Sequence, residues 1–361
     1  MLLLTLRLHN FRNFGEEFIR FHPKINLIHG ENAQGKTNLL EAIYLLSTGR
    51  SWRTSNYSDL IRHGEKFFFL EAEIIKDLVS QTITIYYDGK TKKISHNSNA
   101  LPNFTSLLGL MPATIHAPQD VELITGQPAI RRRFLNLHLA QSDPLYIHHI
   151  SRFVKALKER NFMLKKGKLA NIDIYEEEMA KAASYITIKR SKLITLLKEP
   201  FEELLPQLAG IKEPFHLRYV PSLNFNEEPN VLYTEYKKTL ERMRPRDLQF
   251  KTTQVGPHRD DLVFYLDKRI AKSFASEGQK RTLASALRLA EYSLLSQRTG
   301  SPAILNIDDL GAHLDARREE LFHGLLKNFN QVFITNQEIS PSLKGEKEMA
   351  TIAIKKGKVA S

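Results

Sequence analysis

The chain has 361 residues, 42% of them hydrophobic and none of them cysteine, and a formal net charge of +12. That length admits one large domain or two to three smaller ones with ample core. The composition excludes disulfides and cysteine-based metal sites, holds no apolar run long enough for a membrane helix and no secretory leader, and so fits a reducing cytoplasm; the basic charge suits either a basic soluble protein or a polyanion partner.

Leu4, Leu6 and Leu8 alternate with Thr5 and Arg7, which predicts a strand at the start. A second apolar segment, Phe18 to Phe21, precedes Pro23. Ile25, Leu27 and Ile28 read as a short buried strand that runs into Gly30-Glu31-Asn32-Ala33-Gln34-Gly35-Lys36-Thr37. This stretch fits the phosphate-binding pattern G-x-x-x-x-G-K-[ST]. Leu39, Leu40, Ile43 and Leu46 then recur at helical spacing, and Gly49 can end that helix. Strand, glycine-bearing loop and helix set backbone N–H groups at a helix N-terminus, an arrangement that binds phosphate. The expectation is nucleotide binding by Gly30 to Thr37 and the adjoining Asn38. Lys36 would reach the β- and γ-phosphates, and Thr37 would ligate Mg²⁺.

A polar loop, Arg50-Ser51-Trp52-Arg53, follows. Phe67 to Ile75 and Gln81 to Tyr87 read as strands, with a hairpin signal at Asp88-Gly89 and a return over Lys92 to Ser95. Ala113 to Ala117 is a further short strand, and Pro118-Gln119-Asp120 opens a helical stretch. Pro128 to Gln141 predicts a helix with Ile130, Phe134 and Leu137 on one face. Its run Arg131-Arg132-Arg133 suits a solvated surface or a contact with DNA phosphates. From Tyr146 a helical seam runs through Ile150, Phe153, Leu157 and Leu164 to a basic break at Lys165-Lys166-Gly167-Lys168. A second seam holds Ile172, Tyr175, Met179, Ala182, Ile186, Leu193 and Leu197, interrupted at Arg190, with Pro200 and Pro206 expected to end or kink it. This predicts a helical hairpin whose second helix is roughly 40 Å long. Residues 150–200 carry Lys and Arg twice as often as Asp and Glu. The hairpin is either a stable arm with solvated lysines or an arm along nucleic acid, with Lys155, Lys158, Lys165, Lys166 and Lys168 as contacts. A linker, Pro221 to Asn230, leads to a helix over Val231 to Met243. Phe250 to Val255 and Leu262 to Leu266 read as β-like.

Ser276-Glu277-Gly278-Gln279 opens a helix marked by Leu283, Leu287, Ala290 and Leu294. Ser276 and Gln279 make a capping box. The same pattern, Ser-x-Gly-Gln at a helix start, resembles the signature of ABC-type ATPases, in which the Ser hydroxyl and exposed N–H groups bind a γ-phosphate held by the opposite protomer. Ser276, Gly278 and Gln279 are the residues concerned. Ala303 to Ile307 is then a buried strand ending in Asp308-Asp309, where ligands sit in open α/β sheets. Asp308 would hold Mg²⁺, and Asp309 would orient or deprotonate the attacking water. Asn306 intrudes in that strand and needs a hydrogen-bond partner if buried. Leu314-Asp315 stands where ABC ATPases carry a D-loop, and Gln331 to Asn336 reads as a strand ending where a γ-phosphate sensor would sit. The order of these stretches predicts an α/β fold. It is an ABC-type P-loop ATPase head, residues 1–125 and 250–361, with a mainly helical arm, 126–249, inserted between its halves.

Over nearly its whole length the sequence resembles the RecF family of bacterial recombination-repair ATPases, related to SMC proteins. The resemblance rests on Asn10-Phe11-Arg12-Asn13, on Gly30 to Thr37 with Asn38 to Ile43, on Gly49-Arg50-Ser51, on Ala117 to Asp120, and on Pro128 through Leu135. The most diagnostic run is Gly256-Pro257-His258-Arg259-Asp260-Asp261-Leu262. Departures are Ala33 where Gly is usual, Glu277 and Lys280 where Gln is common, Asn136 where Asp is usual, Asn306, and Gly311-Ala312-His313 before Leu314-Asp315. Ala33 is tolerated if the backbone there needs no positive φ. The resemblance implies a cytoplasmic ATP- and Mg²⁺-dependent homodimer in which Ser276 of one protomer caps the ATP held by Lys36 of the other. It implies clamping of double-stranded DNA or a single-/double-strand junction, with slow, DNA-stimulated hydrolysis. It also implies work with RecR and RecO in loading RecA on gapped DNA, supporting fork recovery and SOS induction. The rival readings are another SMC-like head, an ABC-type ATPase with a non-DNA partner, and a DNA-binding module without catalysis; the last leaves Asp308 and Asp309 unexplained.

Overall fold

The computed structural model describes residues 1–209, 214–309, 316–339, 343 and 346–360, the side chains of residues 209 and 316–319 excepted. The D-loop-like stretch from Gly311 to Asp315 lies outside the described residues. The chain divides into two compact units. One comprises Met1–Asp120, Glu203–Ile211 and Arg281–Ser361, and the other Val121–Glu202 and Lys212–Lys280. Ser276 to Gln279 therefore falls in the second unit, with the helical residues.

The first unit is built on two sheets. Among the described residues, six strands form an antiparallel sheet in the order Phe14–Arg20, Leu2–Phe11, Phe68–Lys76, Val79–Tyr87, Lys92–His96, Asn99–Ala100. The second sheet has the order Lys358–Ala360, Met349–Lys355, Ile25–His29, Gln331–Asn336, Ile304–Ile307, Ala113–His116. Its last five strands are parallel, and Lys358–Ala360 pairs antiparallel at the edge. The helix Lys36–Thr48 is buried at every residue from Leu39 to Thr48. A helix apolar on all sides belongs inside a core. Accordingly Leu39, Leu40, Ile43, Leu45 and Leu46 share one cluster with Leu6, Leu8 and Ile83 of the antiparallel sheet and Ile28, Ile304, Phe333 and Ile354 of the parallel one. The apolar spacing seen in the sequence thus fixes this helix, and with it the loop that precedes it.

The second unit contains the helices Pro128–Ser142, Pro144–Lys166, Pro229–Arg242 and Arg244–Phe250, most of the helix Ile172–Ala209, and a three-stranded antiparallel sheet, Arg269–Ile270, Asp261–Leu266, Phe215–Val220. Three expectations need correction. The helix from Ile172 does not end at Pro200 or Pro206; it spans 38 residues, ~57 Å at 1.5 Å per residue. The seam of buried Leu193, Leu197, Phe201, Leu205 and Leu208 continues across both prolines. Burial worth roughly 1.5–3 kcal/mol per large side chain offsets the ~3 kcal/mol of an interior proline. Residues 250–255 form no strand. Arg244–Phe250 is instead a short helix with proline at its start and Lys251 left-handed at its end. The helix Pro128–Ser142 buries Arg131, Phe134, Leu135, His138 and Leu139, so its inner face is rotated from the Ile130–Phe134–Leu137 stripe.

The reason for that rotation is ionic. Arg131 is 6% exposed and grips Asp261 with two hydrogen bonds of 2.7 and 2.8 Å. Arg190, the apparent interruption of its seam, is 1% exposed. It donates to the Pro257 carbonyl at 2.7 Å, to Asn136 Oδ1 at 2.8 Å and to Tyr146 Oη at 3.1 Å, and pairs with Asp260 at 3.4 Å. Asp260 also accepts from the Tyr219 hydroxyl and from the Ser222 N–H at 2.8 Å. Asn136 thus keeps an acceptor for Arg190 without a second charge. Two buried arginines meet two adjacent carboxylates of the Gly256–Leu262 run, and a buried charge persists only when paired in this way.

Candidate nucleotide-binding site

The phosphate-loop glycines are held in conformations that glycine adopts most readily. Gly30 has φ 142° and Gly35 φ 120°, and a Cβ on Gly35 would meet Asn13 Nδ2 at 2.7 Å. Ala33 also has positive φ, 63°. The condition under which alanine is tolerated there without cost is not met, since the left-handed region costs a non-glycine residue roughly 1–2 kcal/mol. Gly35 caps the helix with no side-chain hydrogen bond, and the first turn carries no acidic residue. The N–H groups of that turn therefore lie at the positive end of the dipole, with no carboxylate of the turn itself to compete for them. Lys36 Nζ donates to the carbonyls of Gly30 at 2.6 Å and Glu31 at 2.8 Å, spanning the loop. Burial lowers its pKa, while Asp309 and Asp308 act in the opposite sense. Glu31, Asn32 and Ala33 are exposed at the loop tip.

At the end of the strand Ile304–Ile307, Asp308 Oδ1 accepts from Thr37 Oγ1 and from Thr335 Oγ1, both at 2.8 Å. Thr335 Oγ1 in turn accepts the Asp309 N–H at 2.8 Å. Asp309 has φ 53°, a strained setting of the kind found at functional sites. Burial raises the Asp308 pKa; the two hydroxyl donors work against that rise, and the charge of Asp309 adds to it. The N-terminal end of the loop helix thus meets the C-terminal ends of the acidic strand and of the strand Gln331–Asn336, as at ligand sites in open parallel sheets. Oxygen donors from Thr37 and Asp308 beside Lys36 fit a hard divalent cation and a polyphosphate.

The loop is pinned by residues whose roles spacing did not reveal. Gln34 accepts the Lys356 N–H on its side chain at 2.6 Å and the Gly357 N–H on its carbonyl at 2.9 Å. That carbonyl also accepts Asn13 Nδ2 at 2.8 Å. Asn38 donates to Asn13 at 2.8 Å and accepts from Arg53 at 2.7 Å, so its side chain serves the loop's support. Glu41, with a wholly buried side chain, is held bidentately by Arg12 at 2.8 and 2.7 Å, by Ser51 at 2.5 Å and by Arg53 at 3.1 Å. The available signal was the pair of polar stretches Asn10 to Asn13 and Arg50 to Arg53 flanking an apolar helix that carries one acid.

Ser276 and Gln279 form the expected capping box: Ser276 N–H donates to Gln279 Oε1 at 2.8 Å, and Gln279 N–H to Ser276 Oγ at 3.2 Å. Glu277 and Lys280 pair at 2.8 Å, which compensates the first of the two polar departures with the second. Asn306 is fully buried. Its Nδ2 donates to the Thr114 carbonyl at 3.1 Å, while its Oδ1 is without a partner among the described residues.

The basic residues separate into two sets. Arg131, and Arg132 through a 2.8 Å bond to the Asp260 carbonyl, are engaged within the second unit; the expectation of Arg131 as a DNA contact is corrected by its burial and its bidentate pairing. Arg133, Lys155, Lys158, Lys165, Lys166 and Lys168 are exposed. A cavity of about 320 Å³ beside Lys155 is lined by Ala156, Ile174 and Tyr175.

Phosphate loop, acidic strand end and capped Ser-x-Gly-Gln helix define an ABC-type P-loop ATPase of the kind that forms SMC heads. The sequence profile of the RecF/RecN/SMC N terminal domain matches residues 2–359. "DNA replication and repair protein RecF" of Protochlamydia amoebophila is 40% identical over 94% of both chains, and that of Geobacillus kaustophilus is 35% identical over 94% of this chain and 93% of its own. A solved structure of the recombination mediator protein RecF with ATP, in the RecFOR pathway, superposes with a TM-score of 0.92 at 32% identity, covering 99% of this chain and 97% of that one. An SMC head bound to the C-terminal winged-helix domain of ScpA, at TM-score 0.59 and 15% identity, shares the fold. The chain belongs to the RecF family.

Proposed function

We propose that the protein is an ATP-dependent DNA-binding protein of recombinational repair and replication-fork recovery, a slow, DNA-stimulated ATPase acting in the cytoplasm. The observation that carries the ATPase reading is the convergence of Thr37, Asp308 and Thr335 beside an uncapped, acid-free helix start. The loop N–H groups from Gly30 to Thr37 bind the phosphates, and Lys36 neutralises the β- and γ-phosphates. Thr37 and Asp308 would hold Mg²⁺, which supplies charge neutralisation on the phosphate oxygens. Asp309, set by its backbone bond to Thr335, orients the attacking water and accepts its proton. Ser276, Gly278 and Gln279 cap the nucleotide of a second protomer, so that ATP stabilises the dimer through its affinity for that state. Residues 1–125 and 250–361 serve as the head and 126–249 as the arm.

The dimer clamps double-stranded DNA or a single-/double-strand junction, with Arg133 and the exposed lysines 155, 158, 165, 166 and 168 as phosphate contacts. Such binding weakens with salt and largely ignores sequence. The RecFOR pathway named for the solved relative supports RecR and RecO as partners; RecA loading on gapped DNA and a link to SOS induction are the roles proposed with them. Sedimentation with and without ATP-Mg²⁺ and a short duplex tests this. Wild type dimerises with ATP and then binds DNA; Lys36→Ala does not dimerise, and Ser276→Arg binds ATP as a monomer. Equal, ATP-independent DNA binding by monomers of all three would overturn the clamp, and a DNA-indifferent ATP dimer would favour a non-DNA partner.

A further inference from the structure

His116 ends the strand Ala113–His116, beside Ile307 in the parallel ladder. Its backbone carbonyl accepts the N–H of Asp308 at 2.8 Å. Its ring is buried and bridges two elements: Nδ1 lies 3.1 Å from Asp120 Oδ2, and Nε2 lies 3.0 Å from Ser285 Oγ. Asp120 also accepts the Ala117 N–H at 2.8 Å and Arg288 Nη2 at 2.6 Å, and Arg288 reaches Glu291 at 2.8 Å. Ser285, Arg288 and Glu291 sit at helical spacing on the inner face of the helix Glu277–Thr299.

The order Ser285–His116–Asp120 reproduces the hydrogen-bond chain of a nucleophilic triad. Accessibility rules that role out: Ser285 is 2% exposed, and its Oγ also lies 3.1 Å from the Arg281 carbonyl. A packed core of five polar side chains costs desolvation, and a pure core at this place could be apolar. What distinguishes this cluster is its single backbone link to the acid that faces Thr37.

We propose that His116 is a positioning residue for the metal-facing carboxylate. Anchored by Ser285 on one ring nitrogen and by Asp120 with Arg288 on the other, it fixes the main chain at Asp308. It thereby sets where Oδ1 lies relative to Thr37 and Thr335. The inference rests on the ATPase reading above and adds a residue to it. Groups that orient a ligating side chain typically change metal affinity by about 10–100-fold when removed.

The test uses the full chain with ADP, and Mn²⁺ as the spectroscopic probe. ADP affinity is measured in EDTA, Mn²⁺ affinity of the ADP complex by electron paramagnetic resonance, and kcat for ATP separately from KM. Ser285→Ala removes one oxygen and Asp120→Asn one charge. The expected result is unchanged ADP affinity in EDTA for both, Mn²⁺ affinity lower by about tenfold, and a fall in kcat with KM preserved. Lower thermal midpoints with unchanged Mn²⁺ affinity in both variants would reduce the cluster to packing and overturn the proposal. Parallel losses of ADP and Mn²⁺ affinity would overturn it too, as general disruption. A wild type whose ADP complex takes up no Mn²⁺ would instead overturn the ATPase reading itself.

Discussion

Replacing Ala33 by glycine should stabilise the protein, although it removes a methyl group and adds freedom to the unfolded chain. Ala33 is exposed at the tip of the phosphate loop, so its methyl contributes little burial. Its φ of 63° lies in the left-handed region, where a side chain costs roughly 1–2 kcal/mol. Glycine removes that cost and loses about 0.5–1 kcal/mol through greater unfolded-state entropy. The difference is a gain of about 0.5–1 kcal/mol, or a thermal midpoint higher by about 1–3 °C. Ala33→Val is the opposing control: a β-branched side chain is worse in this region, so its midpoint should fall. Scanning calorimetry without nucleotide, on all three proteins, decides the matter. A midpoint lowered by Ala33→Gly, or raised by Ala33→Val, would refute the strain account.

Asn306→Val should raise the urea midpoint by the equivalent of about 1 kcal/mol. It removes a buried acceptor that has no partner among the described residues, worth roughly 1–3 kcal/mol, at the expense of one bond to Thr114. Asp309→Asn should bind ATP normally yet turn over slowly and remain dimeric longer; unchanged turnover would move the water-orienting role elsewhere. His258 has Nε2 on the Thr253 carbonyl at 3.0 Å, and burial lowers its pKa to about 4, with the bond to Thr253 acting in the opposite sense. The unfolded chain takes up this proton as pH falls through about 6.5 and the folded chain only near 4, so stability is lost across that window, by about 1–2 kcal/mol at pH 5. His258→Gln should flatten that part of a urea-midpoint against pH curve.

The phosphate loop was legible because its chemistry is local: two glycines, a lysine and a threonine at fixed spacing between a strand and an apolar helix. The acids at 308 and 309 were legible for the same reason, as polar residues closing an apolar strand. Arg131 and Arg190 were not. Periodicity assigns an arginine to the surface, and nothing within the window of either helix announces a carboxylate 130 or 70 residues away. Pro200 and Pro206 misled in the other direction, because propensity weighs each residue alone and burial of Phe201, Leu205 and Leu208 outweighs it. Asp120 lay inside a stretch picked out for its resemblance and His116 directly before it, yet their partner Ser285 is 169 residues from His116.

The strand Ile25–His29 lies between Gln331–Asn336 and Met349–Lys355, both made some 300 residues later. Gln34 is likewise fastened to Lys356 and Gly357. On a ribosome adding about 5–20 residues per second, the nucleotide loop emerges early and waits roughly 15–60 s for the strands that flank it. Throughout that interval both edges of this five-residue, largely buried strand stay open to pairing with other chains. A nucleotide grip that depends on these late partners would follow the docking of the flanking strands rather than guide it.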